Sequence, residues 1–315
     1  MQSIKRIVLG VIFFGVLGGI GVNGTAAFSP ANARESEPDR VLWKNLSYRG
    51  SHFLGDATTE VSLAEVPAGD AQKQLISIPE GNPPGACASP VMVIDVRSEV
   101  DPLFGAAELS GSRAWFSSDN AAALQRIRSR RGDDIWQNSY RFTQSGVYRI
   151  RKKPGRADEK QLEPAHWTRI KESFFPYQPA GPESKIVMEP TGLLYLAANF
   201  DLRSTTGPRS LYVFDRKQLH EVTVQIHERR RLKVSYIEKG RQKEVQREGM
   251  TDAVRISFQP RALVAQGEQP EKFSFMGLKG DFDIFFDQVT NLPVQISGKI
   301  STFGKVDIKL EEVSF

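Results

Sequence analysis

The sequence predicts an all-β fold: a large curved antiparallel sheet, built as a clam-like half-barrel or a sandwich, with a long proline-rich connection and little helix. Three observations predict it. Apolar and polar residues alternate in short runs, as in Val222-Thr223-Val224-Gln225-Ile226 and Leu232-Lys233-Val234-Ser235-Tyr236, which is the period of a half-buried strand. Gly, Asp, Asn and Ser pairs punctuate those runs at the roughly 8–12 residue spacing of sandwiches and barrels. No helical stretch alternates with the strands, as a parallel α/β sheet would require.

The first 33 residues read as a secretory signal. Lys5 and Arg6 precede an uncharged apolar run from Ile7 to Val22, and Ala31-Asn32-Ala33 offers a small-residue cleavage site. The run is shorter than the ~20 residues a spanning helix needs, and it carries five glycines. The expected mature chain starts at Arg34, has no transmembrane span and works in the periplasm. Gly19-Ile20-Gly21-Val22-Asn23-Gly24 matches a dinucleotide fingerprint in letters only, because it lies inside the leader rather than in a strand–turn–helix unit. Of the formal net charge of +5, Lys5 and Arg6 go with the leader, which leaves +3. So mild a charge, with export, argues against nucleic acid as a partner. The one cysteine, Cys87, excludes an internal disulfide, so the core must carry the stability.

Residues 34–42 read as a flexible lead and 43–315 as one β-rich domain with a first half at 43–153, an irregular connection at 154–190 and a second half at 191–315. Leu75 to Ile78 and Val91 to Val96 are strand-like. Residues 124–153 predict a three-strand meander: Leu124 to Arg130, Ile135 to Phe142 and Val147 to Lys153, divided by Arg131-Gly132-Asp133-Asp134 and Thr143-Gln144-Ser145-Gly146. Ser118-Asp119 would also cap a helix from Asn120 to Arg131; the hairpin signals that follow favour strand. Residues 154–190 hold six prolines, which interior strands exclude, and predict at most one short helix near Ala165 to Glu172. Strands resume after Thr191 and run to Lys305–Leu310.

Asp281-Phe282-Asp283-Ile284-Phe285-Phe286-Asp287, then Leu292-Pro293-Val294-Gln295-Ile296, then Gly304-Lys305-Val306-Asp307-Ile308-Lys309-Leu310 form an ending of strand, aspartate, turn, Leu-Pro and two more strands. Phe200-Asp201-Leu202-Arg203, Phe214-Asp215, Trp136 to Phe142 and Gly146-Val147-Tyr148-Arg149 accompany it. From Tyr48 to Phe315 this pattern resembles the exported bacterial proteins of domain of unknown function 3108. The resemblance implies an all-β, clam-like or half-barrel domain in the periplasm and brings no catalytic residue with it.

The chemistry-bearing residues do not form a known catalytic signature, and a non-enzymatic role is expected. His52, His166, His220 and His227 lack metal spacing and read as solvated side chains, with His220 and His227 on opposite strand faces. Asp281 and Asp283 share a strand face opposite Phe282 and Ile284; paired carboxylates serve acid–base work or calcium, and equally a solvated face. No cofactor or metal is expected. Charge is the strongest feature. Between Arg126 and Lys160 lie eleven Lys/Arg and four Asp/Glu. Arg126, Arg128 and Arg130 share one strand face, as do Arg149 and Arg151, and Arg229, Arg230 and Arg231 form a second cluster. Arginine suits phosphate and carboxylate. The expectation is a non-catalytic envelope binding module with arginines at the rim of a concavity that holds an amphiphilic or anionic lipid or polysaccharide. The alternatives are a scaffold for another envelope protein, or a hydrolase if a cleft gathers Asp281, Asp283 or a histidine. In the bland alternative the arginines are only a solvated outer face.

Overall fold

The computed structural model describes residues 43–52, 55–79, 90–102, 107–177, 186–200, 207–240, 243–264, 267, 269–300 and 304–315. The leader, the flexible lead and Cys87 lie outside the described residues. The seventeen strands among the described residues place the chain in the all-β class, as its alternation predicts.

The first half is a run of antiparallel neighbours: β1 (Asn45–His52), β2 (Gly55–Val66), β3 (Val91–Pro102), β4 (Glu108–Ser117), β5 (Ala123–Arg131), β6 (Trp136–Phe142), β7 (Gly146–Lys153) and β8 (Arg169–Pro176). A short helix, α1 (Ala68–Gln74), follows β2. The second half contributes β9 (Val187–Met188), α2 (Gly192–Ala198), β10 (Arg209–Asp215), β11 (Gln218–Lys239), β12 (Glu244–Leu263), the small hairpin β13 (Ser274–Phe275) and β14 (Leu278–Lys279), β15 (Phe282–Asp287), β16 (Pro293–Ile300) and β17 (Gly304–Ser314).

Fifteen strands form one sheet in which β17 lies between β1 and β16. Beyond the end of β16, β17 also pairs in parallel with β11, Ile237–Lys239 against Glu312–Ser314. The strands β11, β12, β15, β16 and β17 therefore close into a ring. Strands β1 to β8 leave that ring as an open, curved wall. The wall returns to the ring through side chains. Tyr140, Phe142 and Val147 pack on Phe214 and Leu219, and Phe214 meets the rings of Tyr140, Phe142 and Phe175 at 6.0–6.5 Å. Among the described residues, no helix is long and apolar enough to cross a membrane.

The meander of 124–153 is present as β5, β6 and β7, and residues 118–131 are turn and strand rather than helix. Four local expectations change, the first at Leu75–Ile78, which leaves α1 as irregular chain rather than a strand, its Ile76 N–H donating to Gln125 Oε1 at 2.7 Å instead of to a neighbouring strand. The proline-rich connection contains a strand, β8, because no proline falls between Ala165 and Phe175 and Pro176 sits at the strand's end, on the sheet's edge, where a missing ladder donor is tolerated. Its helix is replaced by two 3-10 turns, Asp158–Gln161 and Pro164–His166. Glu159 ties them down, accepting from the backbone N–H of Gly155 (2.7 Å) and Thr168 (2.9 Å). Those bonds favour the ionised carboxylate and lower its pKa to about 2. After Thr191 the chain forms α2 instead of a strand. Its apolar run, Leu193-Leu194-Tyr195-Leu196-Ala197-Ala198, lacks β-branched residues and is buried almost all round, which suits a core helix. The Glu189 carboxylate accepts from the backbone N–H of Thr191 (3.0 Å) and of Gly192, satisfying donors at the helix start.

Gly146 has a reason of contact. A Cβ there would lie 2.3 Å from the Phe175 carbonyl oxygen, so only glycine lets β7 begin directly against β8. The Asp287 turn has one too. Asp287 accepts from the backbone N–H of Val289 (3.0 Å) and Thr290 (2.7 Å), and Asn291 takes the left-handed φ of 57°. The aspartate before Leu292-Pro293 is a turn residue.

Candidate functional site

The register of the wall builds a cavity. Arg126, Arg128 and Arg130 alternate along β5 with Gln125, Ile127 and Ser129, so they share a face. Ile127, with Trp115, Val93 and Val91, packs near Ala71 of α1 on the other side. The arginines are thereby turned inward. Pairing then aligns neighbours on the same face: Arg130 with Trp136, Arg128 with Asn138 and Arg151, Arg126 with Tyr140 and Arg149. Strand β4 places Ser110, Ser112 and Ala114 opposite the arginines, leaving room for guanidinium groups. Across the space stand Arg216 and Lys217 of the β10–β11 turn, and Ser274 and Lys279 of the β13–β14 hairpin. Arg216 holds a left-handed φ of 58°, an uncommon backbone for a non-glycine residue. The cavity is open to solvent on one side and measures about 570 Å³.

The expectation of a solvated outer face is corrected here: Arg126, Arg128, Arg130, Arg149 and Arg151 all line the cavity, Arg126 and Arg149 buried in its wall and Arg128, Arg130 and Arg151 half-buried. They do not act alike. Arg126 is a structural tie, with Nη1 3.1 Å from Asp215, Nε 3.4 Å from Glu189 and Nε donating to Ser112 Oγ at 3.0 Å. It joins the wall to the start of α2 and to the β10–β11 turn. Asp215, 1% exposed, also accepts from the Ser274 backbone N–H (3.0 Å) and lies 3.6 Å from Arg128. Arg130 pairs with Glu108 at 2.5 Å. Arg149, Arg151 and Lys279 form no ion pair among the described residues.

Two buried polar atoms in the cavity wall lack a partner among the described residues. Arg149 is 6% exposed; its Nη2 reaches Ser173 Oγ at 3.4 Å and its guanidinium lies 4.8 Å over the Phe175 ring, yet its Nε is unbonded. Asn138, also 6% exposed, has an unbonded Oδ1. An unsatisfied buried group costs about 1–3 kcal/mol, so the packing of β6 and β7 carries that cost at both atoms. Burial, then the neighbouring Arg126, lowers the pKa of Arg128. Burial, then Arg216 and Arg128, lowers that of Lys279 to about 8.

The second arginine cluster is elsewhere. Arg229, Arg230 and Arg231 follow a bulge in β11 and stand exposed on the long β11–β12 ribbon, outside the cavity. A smaller cleft of about 350 Å³ on the ring's outer face gathers His227, Ser257, Asp281 and Asp283. There His227 Nε2 lies 2.7 Å from Ser257 Oγ. Burial lowers the His227 pKa and raises that of Asp283. Phe282 and Ile284 bury the opposite side of β15, as expected. His220 is not solvated: it is 1% exposed, packed at 5.2 Å from Phe273, and burial lowers its pKa. The β11 face that carries it, with Val222 and Val224, is the core face. His166 is exposed, and no group of three or more His, Cys, Asp or Glu side chains able to hold a metal occurs among the described residues.

Asn138 was open to sequence reasoning, since the phase of β6 relative to β5 follows from the turn between them. Lys279 and Arg216 were not, because they arrive from more than sixty positions away and no pattern around them signals it.

No family model matches the chain, and no curated protein is similar to it. A solved structure described as a beta-barrel-like protein of domain of unknown function DUF1849, from Brucella abortus, is similar at 8% identity and a TM-score of 0.41, over 86% of this chain and 98% of that one. So distant a likeness carries no inference about function.

Proposed function

We propose that the chain is a non-catalytic binding module of the cell envelope whose cavity takes an anionic ligand. The observation that carries this is the convergence of Arg128, Arg149, Arg151 and Lys279 on one cavity, the last three with no carboxylate partner among the described residues. Eight cationic side chains line the cavity, against Glu108 and Glu271. Without a ligand so many like charges repel; an anion relieves that repulsion and accepts the waiting donors. Arginines, lysines, serines and Asn138 line the walls beside Val96, Trp136, Tyr140, Met276 and Ile300, and the deeper apolar interior is filled by α2 and the phenylalanines. That favours a hydrophilic anion over an acyl chain. The signal-like leader and the resemblance to domain of unknown function 3108 support a periplasmic setting.

The test uses the variant Arg149→Gln/Arg151→Gln, which leaves the Arg126 tie intact. By titration calorimetry the wild type should bind inorganic phosphate or an acidic oligosaccharide with an affinity that falls as salt rises, and the double variant should lose at least tenfold. Lys279 adds a pH signature. Its amine is protonated below about 8, and a nearby anion stabilises that form. Binding should therefore weaken as pH rises through about 8, with proton uptake visible as a buffer-dependent heat. Salt-independent binding, or none, overturns the proposal.

The hydrolase reading stands second, on the His227–Ser257 hydrogen bond in the outer cleft. A neutral histidine beside a serine hydroxyl is the nucleophile–base arrangement of acyl transfer. Ser257 is only 8% exposed and sits in mid-strand, which restricts attack. Labelling of Ser257 by a fluorophosphonate would place this reading first.

A further inference from the structure

We infer that the arginine cavity takes a ligand with at least two phosphoryl groups on one small scaffold, rather than a single phosphate or carboxylate. This rests on the anion-binding reading above and adds how much charge the ligand brings, and in what form. A free oligophosphate, a bisphosphorylated sugar and a bisphosphorylated lipid headgroup share that chemistry.

The first argument is the balance of charge. Eight cationic side chains line the cavity. Four carboxylates reach them: Glu108 on Arg130, Glu271 on Lys217, Glu189 on Arg126, and Asp215, which Arg126, Arg128 and Arg216 share. Among the described residues the lining thus keeps an excess of four positive charges. With Glu189 balancing Arg126, the single charge of Asp215 leaves Arg128 and Arg216 one short. Arg151 and Lys279 have no carboxylate partner among the described residues. Arg149 is buried in the wall, so it contributes its charge and no contact.

The second argument is access. A ligand can touch four of these cations: the Arg128 side chain is 20% exposed and that of Arg216 33%, and Arg151 and Lys279 are half-buried. They converge from two sides, Arg128 and Arg151 from the wall, Arg216 and Lys279 from the turn and hairpin opposite. Lys279 reports how strongly they are crowded. After burial, Arg216, Arg128 and Arg130 each push its pKa down. Arg216 reaches the cavity from a left-handed backbone, a conformation easier for glycine or asparagine.

The third argument is charge density. At neutral pH a phosphate monoester brings about 1.5 to 2 negative charges and three acceptor oxygens. A carboxylate brings one charge and two oxygens. One phosphate therefore leaves about half of the excess uncompensated, and two compensate it. Carboxylates would have to be four, spread over a larger molecule. The volume of about 570 Å³ suits a compact one. The guanidinium fork matches phosphate oxygens in pairs, so Arg128, Arg151 and Arg216 can each hold an edge of a phosphoryl group.

The experiment is titration calorimetry on the wild-type protein with inorganic phosphate, pyrophosphate, tripolyphosphate and citrate. Pyrophosphate should bind at least about tenfold more tightly than phosphate, and its affinity should fall more steeply with salt. Citrate should bind more weakly than pyrophosphate. Glu108→Gln removes a carboxylate from the lining and should raise pyrophosphate affinity by about threefold or more, a gain that no folding defect produces. Arg151→Gln/Lys279→Met removes two of the surplus charges and should shrink the preference for pyrophosphate over phosphate to below about threefold, with a melting curve to check the fold. Two further probes separate the sources. Tighter binding of fructose 1,6-bisphosphate than of pyrophosphate marks a phosphorylated sugar. Tighter binding of phosphatidylcholine vesicles carrying phosphatidylinositol 4,5-bisphosphate marks a lipid headgroup. Neither gain marks a free oligophosphate. Equal affinity for phosphate and pyrophosphate overturns the assignment of two phosphoryl groups and leaves the anion reading standing. Citrate binding more tightly than every phosphate compound, or Glu108→Gln bringing no gain, also overturns it. If no anion binds at all, both readings fall.

Discussion

Asp215→Ala should destabilise the protein by about 3–5 kcal/mol, the range for removing one partner of a buried ion pair. The fall in Tm should be on the order of 10 °C. Among the described residues Asp215 is the one carboxylate near three guanidinium groups: Arg126 at 3.1 Å, Arg128 at 3.6 Å and Arg216 at 3.7 Å. It also accepts the Ser274 backbone N–H. Removing it leaves Arg126 buried with Glu189 as its only countercharge and strips the β13–β14 hairpin of a tie. Chemical denaturation measures the loss. The double variant Asp215→Ala/Arg126→Met should recover part of it, because the stranded charge is gone. A loss below 1 kcal/mol would mean that water or rearrangement already neutralises Arg126. The same geometry sets which arginines are informative about binding. A change at Arg126 acts through folding, whereas Arg149 and Arg151 can be altered without breaking an ion pair.

Phe282→Ala should cost a comparable amount, about 3–5 kcal/mol. The ring is stacked between Phe258 at 4.6 Å and Phe275 at 4.3 Å, and Phe273 lies 6.3 Å away. Phe273 and Phe275 anchor the hairpin that carries Lys279 into the cavity, so the damage should spread to the site. Anion affinity measured well below the melting transition should fall as well, although Phe282 does not line the cavity. Phe282→Leu, which keeps most of the volume, should cost less than half as much. Equal costs for Ala and Leu would show that the stacked geometry, rather than the filled volume, holds the hairpin.

Much of the sheet was legible in the sequence. The meander from β5 to β7 could be read because Gly132-Asp133-Asp134 and Ser145-Gly146 mark its turns and the intervening runs alternate. Strand β8 was hidden by the prolines around it, which bound the strand without interrupting it. Helix α2 was hidden by its own apolarity. A short apolar run has no period to distinguish buried helix from buried strand. At the site, alternation revealed that Arg126, Arg128 and Arg130 share a face, but could not say which side that face occupies. Inward and outward are decided by α1, packed behind Trp115 and Ile127, and by the second half of the chain, which brings Asp215, Arg216 and Lys279 across. The two carboxylates that make Arg126 structural, Glu189 and Asp215, come from that half.

The place of β17 has a consequence for the order of events in folding. Asn45 at the start of β1 donates to Ser314 at the end of β17, 269 positions away. Strand β17, more than 250 positions after β1, is thus the seam between wall and ring, and it also fastens the far end of β11. Neither half can complete its hydrogen-bonded ladder before that strand is present. Until then β1 and β16 each wait with an open edge, the kind of surface that invites wrong partners. Contacts so distant along the chain form slowly. The chain must therefore be kept from aggregating until β17 has been made, and only then can wall and ring become one object.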